Sequence, residues 1–191
     1  NTVLAGMALD GKSFFYVNPL EVLPEACHKD ERKFHVKPVR QKWFGCACCP
    51  PNLARTLSSV SSYAFTEKED TLFVHLYIGS DIKKTVNGKE VSIHMTSNFP
   101  WDGKVSIQAD SADTLFTLAL RIPGWCTSYQ AALSGSAHNP ISGSDCITGI
   151  DASEYTIKNG YLYITRKWDA NEALTLDFPM EIQVWNANPN V

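Results

Sequence analysis

Short segments rich in β-forming residues recur at even spacing from residue 71 to residue 186 of this chain. Segments 114–120 and 174–178 show the alternation that is found in strands with one buried face. Pairs of turn-forming residues separate the segments, which favours tight connections between strands. The predicted strands are 71–78, 90–95, 104–109, 114–121, 128–133, 154–157, 160–166, 172–178 and 180–186. The turn pairs are Asn87-Gly88, Asp102-Gly103, Pro123-Gly124, Ser142-Gly143 and Asn159-Gly160. This pattern predicts a mainly β fold, specifically a β-sandwich.

Residues 1–65 differ from the rest of the chain in their pattern. Apolar residues at helical spacing, including Leu53, Leu57 and Val60, predict a helix over about 51–64 that follows Pro50-Pro51. Residues 24–42 are polar and irregular. So few periodic apolar elements cannot form a core alone. The sequence therefore predicts a boundary near residue 66, with a sandwich over 66–186.

Three of the six cysteines lie within four residues, at Cys46, Cys48 and Cys49. They immediately precede the predicted helix. A helix N-terminus presents unpaired N–H groups and a partial positive charge, which stabilise a thiolate. The turn ahead of the helix is therefore where a reactive or metal-binding sulfur is expected.

Three interpretations of this cluster stay open at the level of sequence. A disulfide could join it to Cys27, Cys126 or Cys146, whereas adjacent cysteines are badly spaced to bridge each other. The thiols could instead be small buried apolar groups. The third interpretation is a soft-metal site, most plausibly zinc, with ligands supplied from elsewhere because the chain offers no clean second ligand pair.

Composition narrows the function classes. The formal net charge of −3 argues against a nucleic-acid surface, which needs a basic excess. No apolar run is long enough to span a membrane, so no membrane partner is expected. Trp101, Trp125 and Trp168 could form a sugar-stacking platform, but we expect them to anchor the sandwich core or its edges. The localisation is left open, because six cysteines do not fix the redox compartment.

Several motifs resemble glycoside hydrolase family 127, whose characterised members are β-L-arabinofuranosidases. The most specific is Trp43-Phe44-Gly45-Cys46-Ala47-Cys48-Cys49-Pro50-Pro51-Asn52-Leu53-Ala54-Arg55, preceded by the run from Gly6 to Glu21. Weaker matches follow in the expected order at 120–126, 160–168 and 178–180. The resemblance implies an (α/α)6 barrel followed by β-sandwich domains. Residues 1–65 would then be the terminal helix and loop segment of the catalytic barrel, whose body is absent. Residues 66–186 would be the first sandwich, and 187–191 would begin the connector to a second one.

The resemblance also implies site residues. The family is retaining and uses a zinc-bound cysteine thiolate as nucleophile. By motif, Cys48 would be that nucleophile and a zinc ligand, Cys49 a second zinc ligand, and Tyr16 a substrate-binding residue. Cys46 is not assigned to the metal. The family's other zinc ligands, a glutamate and a cysteine, and its general acid/base glutamate would lie upstream of residue 1.

These expectations lead to two main hypotheses of function. The first is a fragment of a zinc-thiolate glycosidase that acts on β-L-arabinofuranosides and is inactive alone. The second is a non-catalytic carbohydrate-binding or structural β-sandwich. A zinc-stabilised interaction module is a third class. Residues 1–65 could also self-associate through apolar surface that lacks its barrel.

Overall fold

The computed structural model describes residues 5–16, 23–25, 27, 36–46, 48, 50–134, 146–184 and 186. The chain divides into two compact units, Asn1–Ser62 and Tyr63–Val191. Each unit is described by itself below.

The first unit begins with a tight turn and an isolated strand pairing. Asp10 accepts a hydrogen bond from the Lys12 N–H at 3.0 Å, and Gly11 has a φ of +69°, which glycine adopts without strain. Beyond the turn, Phe14 forms single β-bridges with Met7 and with Gln41. Asp-Gly is a strong turn signal, and the backbone turns at this pair.

Helix α1 spans Pro50–Ser58 and helix α2 spans Val60–Ala64. The predicted continuous helix over 51–64 is therefore interrupted at Ser59. The Ser59 hydroxyl donates to the Arg55 carbonyl at 2.9 Å, and the Ser58 hydroxyl donates to the Ala54 carbonyl at 2.9 Å. Serine hydroxyls commonly bond back onto the preceding turn of a helix in this way.

The second unit is built from two β-sheets. In the described part of the chain its strands are β1 Phe65–Lys68, β2 Thr71–Val74, β3 Ser80–Val86, β4 Lys89–Ser97, β5 Lys104–Asp110, β6 Leu115–Arg121, β7 Gln130–Leu133, β8 Cys146–Thr148, β9 Tyr155–Lys158, β10 Tyr161–Lys167 and β11 Ala173–Asp177. One sheet has five strands in the order β1-β2-β6-β10-β9, and the other has six in the order β3-β4-β5-β11-β7-β8. Neighbouring strands are antiparallel except for the parallel pairs β2–β6 and β7–β8. The mainly β fold is confirmed.

One apolar core is filled from both sheets. The five-stranded sheet contributes Leu72, Val74, Phe116, Leu118, Leu120, Leu162 and Ile164. The six-stranded sheet contributes Val91, Ile93, Met95, Val105, Ile107, Leu174 and Leu176. Each large side chain removed from water contributes roughly 1.5–3 kcal/mol, so this layer is the main source of stability in the second unit.

Two of the predicted turn pairs have the backbone that tight hairpins require. Asn87-Gly88 and Asn159-Gly160 both have two successive positive φ angles, at 52° and 77° and at 51° and 76°. This is the pattern of a type I′ turn, for which Asn-Gly is preferred. These turns join β3 to β4 and β9 to β10, and Ser142-Gly143 lies outside the described residues.

Some strand predictions were wrong. No strand forms in the described residues of 180–186, where Ile182 and Val184 are exposed, because their alternating pattern finds no partner edge there. The segments β1, β3 and β8 are strands that the sequence pattern did not predict. In β3 the charged residues Asp81, Lys83 and Lys84 hid the alternation.

Lys84 is a buried cation at the edge of the sandwich. It lies on edge strand β3, and its Nζ is 3.2 Å from the carboxylate of Glu67 on β1, the edge strand of the other sheet. The Lys84 side chain is 6% exposed and that of Glu67 is 56% exposed. This ion pair therefore joins the two sheets where neither has a further strand to pair with in the described structure, and a charge pointing inward also discourages edge-to-edge aggregation.

We expect Glu67→Gln to lower the free energy of unfolding by about 1–2 kcal/mol, because it leaves the buried Lys84 ammonium without its carboxylate. Lys84→Met removes the charge together with its desolvation cost, and we expect a change of less than about 1 kcal/mol. Urea denaturation of both variants measures the difference. Equal losses of stability would show that the ion pair itself stabilises the fold, and that the cost does not come from a buried ammonium left without its carboxylate.

Candidate active site

Backbone pairing brings the segment around Tyr16 alongside the segment that leads to the cysteines. The Phe14 N–H donates to the Gln41 carbonyl at 3.0 Å, and the Gln41 N–H donates to the Phe14 carbonyl at 2.9 Å. Arg40 lies over the Phe15 ring at 4.8 Å and donates to the Ala5 carbonyl. These contacts fix residues 14–16 next to residues 40–44. The cysteine loop, residues 46–49, begins two positions after residue 44.

Tyr16, Cys46 and Cys48 meet in one cluster within the first unit. The Tyr16 hydroxyl contacts Cys48 Sγ at 2.5 Å and lies 3.5 Å from Cys46 Sγ. The two sulfurs are 3.4 Å apart. The Tyr16 ring packs against the Phe44 ring, with centroids 5.4 Å apart, and Phe44 in turn packs against Phe14 at 5.6 Å. Aromatic packing of this kind restrains the tyrosine so that its hydroxyl faces the sulfurs.

Helix α1 holds the other side of the cysteine loop. It begins at Pro50, two residues after Cys48. The Asn52 side-chain amide donates to the Cys48 carbonyl at 3.3 Å, and Arg55 donates to the Asn52 side-chain oxygen at 3.0 Å. Arg55 thus supports the cysteine loop through Asn52, and Cys48 is placed at the N-terminus of the helix.

The structure therefore brings together two of the three site residues that the sequence predicted. Tyr16 and Cys48 are in contact across 32 positions of sequence. Cys49 lies outside the described residues. Sequence reasoning missed the parts played by Phe44, Cys46 and Asn52, although all three belong to the motif at 43–55 that signalled the site.

The described cysteines narrow the interpretations of the cluster. No disulfide joins any two of Cys27, Cys46, Cys48, Cys126 and Cys146. Cys46 and Cys48 are exposed, so neither serves as a buried apolar group. No group of three or more His, Cys, Asp or Glu side chains is arranged to hold a metal among the residues with described positions.

The donor chemistry of the cluster nevertheless suits zinc. Thiolates are preferred zinc ligands at about 2.3 Å, and two such ligands of a tetrahedral ion stand about 3.8 Å apart. The 3.4 Å separation of Cys46 Sγ and Cys48 Sγ shows that this loop can present two sulfurs at close to that spacing. Sulfur donors of this kind fit a soft metal such as zinc, whose remaining ligands would have to come from outside the described residues.

An apolar cavity of about 500 Å³ adjoins the aromatic residues under Tyr16. Phe14 belongs to both, and Trp43 on the cavity wall is 75% exposed. The other lining residues are Met7, Gly11, Pro51, Leu53, Ala54, Leu57 and Ser58. All of these residues belong to the first unit, so the site and the cavity share one scaffold.

The tryptophans of the second unit do not share one role. Trp168 is buried, and its indole N–H donates to the Phe116 carbonyl at 3.0 Å, as expected of a core anchor. Trp101 is 76% exposed and does not anchor the core, whereas Trp125 is 39% exposed and packs against Phe99.

Across the part of the chain with described coordinates, no helix is long and apolar enough to cross a membrane.

Comparison with known families accounts for both units. Residues 1–62 match the family described as beta-L-arabinofuranosidase, GH127 catalytic domain, and residues 71–180 match the beta-L-arabinofuranosidase, GH127 middle domain. A match to part of a catalytic domain, followed by a match to a middle domain, identifies the chain as part of a glycoside hydrolase. The chain belongs to glycoside hydrolase family 127, as its motifs predicted.

Individual relatives agree with this assignment. The whole chain is 34% identical to the non-reducing end beta-L-arabinofuranosidase of Bifidobacterium longum subsp. longum and covers 27% of that protein. It is 46% identical to the solved GH127 beta-L-arabinofuranosidase of Geobacillus stearothermophilus T6, with a TM-score of 0.71 over 97% of this chain and 27% of that one. Another solved GH127 beta-arabinofuranosidase is 29% identical, with a TM-score of 0.65 over 93% of this chain and 26% of its own. The chain thus spans about a quarter of the length of these relatives.

Proposed function

We propose that this chain works within a longer retaining glycosidase that hydrolyses β-L-arabinofuranosides, with Cys48 as the nucleophile. The observation that carries the proposal is the contact between the Tyr16 hydroxyl and Cys48 Sγ, on an exposed loop at the start of a helix. The activities of the relatives described above supply the sugar. Below, the long-form enzyme means a protein of the relatives' length that carries residues 1–191 in the corresponding place, either natural or grafted into the Geobacillus enzyme.

The proposed reaction has two displacement steps. The Cys48 thiolate attacks the anomeric carbon while the glycosidic C–O bond breaks, and a carboxylic acid gives its proton to the leaving oxygen. Water then attacks the same carbon, the carboxylate takes its proton, and the C–S bond breaks with its electron pair returning to sulfur. Each step inverts the carbon, so the configuration is retained overall. In this proposal the carboxylic acid belongs to a part of the long-form enzyme outside this chain.

Zinc is part of the proposal as an activator of Cys48. Cys48 and Cys49 would hold it, and their sulfur chemistry is what supports the assignment. When bound, the ion keeps sulfur deprotonated at neutral pH and makes it a less basic group that leaves readily. The remaining ligands would come from the rest of the long-form enzyme.

Tyr16 would orient the nucleophile and contact the substrate. Its hydroxyl donates to an anionic sulfur, and such a hydrogen bond to a charged group contributes about 1.5–3 kcal/mol. We expect Tyr16→Phe in the long-form enzyme to lower kcat/KM by about 10- to 100-fold. Steady-state kinetics on a chromogenic β-L-arabinofuranoside measure the effect. Tyr63→Phe, at a tyrosine that is 64% exposed in α2, is the matched control and should leave the rate unchanged. An unchanged rate in Tyr16→Phe would remove the tyrosine from the mechanism.

The polypeptide of residues 1–191 alone is expected to hydrolyse no arabinofuranoside, because the proposed acid and two of the proposed zinc ligands belong to the remainder of the long-form enzyme. Its turnover of the chromogenic substrate is compared with that of the long-form enzyme at equal molar concentration. Comparable turnover would mean that the chain holds a complete site of a different kind. A folded but inactive chain that still bound arabinoxylan or arabinan through its second unit would favour the carbohydrate-binding alternative.

A further inference from the structure

Cys46 has no part in the proposed reaction, yet its sulfur lies beside that of the nucleophile. The two Sγ atoms are 3.4 Å apart, and the Tyr16 hydroxyl contacts both. Both cysteines are exposed, so a small oxidant reaches them. Forming a disulfide would shorten the sulfur–sulfur distance by little more than 1 Å.

Chain spacing also favours a bond between these two sulfurs. Cα atoms of adjacent residues are 3.8 Å apart, which is below the usual range for a disulfide, whereas residues two positions apart reach it. Cys46 and Cys48 are two positions apart and Cys48 and Cys49 are adjacent. Cys46 is therefore the natural partner of Cys48 within the motif.

We propose that Cys46 and Cys48 are a site of reversible oxidation, in which a peroxide converts the two thiols to a disulfide. Hydrogen peroxide oxidises one thiol to a sulfenic acid and releases one water. The second sulfur attacks the sulfenic sulfur, the S–S bond forms, and a second water leaves. In sum, two thiols and one peroxide give one disulfide and two waters. A dithiol reductant reverses the change through a mixed disulfide.

Such a bond would protect the nucleophile. A sulfenic acid without a neighbouring thiol is oxidised further to sulfinic acid, which thiols do not reverse. Capture by Cys46 stops the oxidation at a stage that reduction restores. The consequence for catalysis rests on the proposed function, since it requires Cys48 to be the nucleophile, but the disulfide itself does not.

The test follows the chemistry of one peptide. Trypsin cleaves after Lys42 and after Arg55, so the three clustered cysteines leave together in the peptide Trp43–Arg55. The chain of residues 1–191, reduced and treated with a zinc chelator, is exposed to stoichiometric hydrogen peroxide. Remaining thiols are blocked with N-ethylmaleimide, and the peptide is sequenced by tandem mass spectrometry. We expect a peptide that has lost two hydrogens and carries one maleimide, on Cys49. Dithiothreitol before blocking should restore three maleimides.

A maleimide on Cys46 or on Cys48 in the bridged peptide would overturn the pairing, and a peptide without any bridge would overturn the proposal. In Cys46→Ser the bridged form should be lost and Cys48 sulfinic acid should accumulate, whereas Cys146→Ser in the second unit should behave as the parent chain. An undiminished bridge in Cys46→Ser would also contradict the inference. The position of the maleimide in the parent chain decides the matter even where a variant fails to fold. None of these readings depends on glycosidase activity, so they fail or succeed separately from the proposed function.

Discussion

Replacement of Cys48 by serine in the long-form enzyme is expected to lower kcat for β-L-arabinofuranoside hydrolysis by on the order of 10³-fold or more. A serine hydroxyl is not ionised near neutral pH and is a poor zinc ligand, so the variant loses both the nucleophile and its activation. KM is expected to change much less, because the rest of the pocket is intact. Initial rates on a chromogenic β-L-arabinofuranoside give both constants.

The matched control is Cys146→Ser. Cys146 lies in β8 of the second unit, in which the account places no catalytic group, so this variant should keep the parent rate. Circular dichroism of both variants establishes that they are folded. A Cys48→Ser enzyme with the rate of the control would exclude a thiolate mechanism at this position.

The largest effect on stability is expected from Gly103→Ala. A Cβ at this position would lie 1.9 Å from the Phe178 carbonyl oxygen and 2.7 Å from its carbon. Phe178 cannot retreat easily, because it is buried and its N–H donates to the Gly103 carbonyl at 3.1 Å. Overpacking against backbone that cannot move costs about 3 kcal/mol. Urea denaturation of the chain should show a midpoint at a lower urea concentration. The dependence of the unfolding free energy on urea concentration should keep the same slope.

Gly124→Ala is the control for this prediction. Gly124 also stands in a predicted turn pair, but nothing lies within 4 Å of a Cβ added there. Its substitution should change the free energy of unfolding by less than about 0.5 kcal/mol. Equal behaviour of the two variants would show that Gly103 is replaceable and that the end of the β5–β11 pair is looser than its geometry implies.

Local rules in the sequence were sufficient to predict that the second unit is mainly β, together with several of its strands and turns. Asn87-Gly88 and Asn159-Gly160 have positive φ angles that few other residue pairs adopt, so the turns could be read before any tertiary contact was known. Gly103 also marked a turn, and here Asp102 contributes: hydrogen bonds from the Asn98 side chain and the Lys104 N–H hold the pKa of its carboxyl below the ordinary value. However, glycine is needed at 103 because the Phe178 backbone approaches closely. This contact joins residues distant in the sequence, so it could not be predicted from the local pattern.

Features that depend on distant partners escaped prediction. Strand β3 was missed because Lys84 looks like a surface residue until Glu67 of the other sheet is placed beside it. The opposite error occurred at 180–186, where alternation suggested a strand but no edge receives it in the described residues. The interruption of the predicted helix at Ser59 was also missed, because Leu57, Val60 and Ala64 keep helical spacing across it.

The candidate site was only partly predictable, because contacts between residues far apart in the sequence leave no local signal. The motif at 43–55 identified Cys48, and the resemblance identified Tyr16, but neither indicated that the two touch. That contact depends on the pairing of Phe14 with Gln41, which spans 27 positions and carries no local signature. The contact between the sulfurs of Cys46 and Cys48 was likewise not predicted, although the two residues are only two positions apart.

The most direct test of the account is whether a sugar becomes bonded to Cys48 during turnover. The long-form enzyme is mixed with a β-L-arabinofuranoside that has a good leaving group, quenched in acid during the steady state and digested with trypsin. Peptide Trp43–Arg55 is expected to carry one pentosyl group, located on Cys48 by tandem mass spectrometry and lacking in an unreacted control. An unmodified Trp43–Arg55 peptide together with a pentosyl ester on an aspartate or glutamate elsewhere would contradict the account.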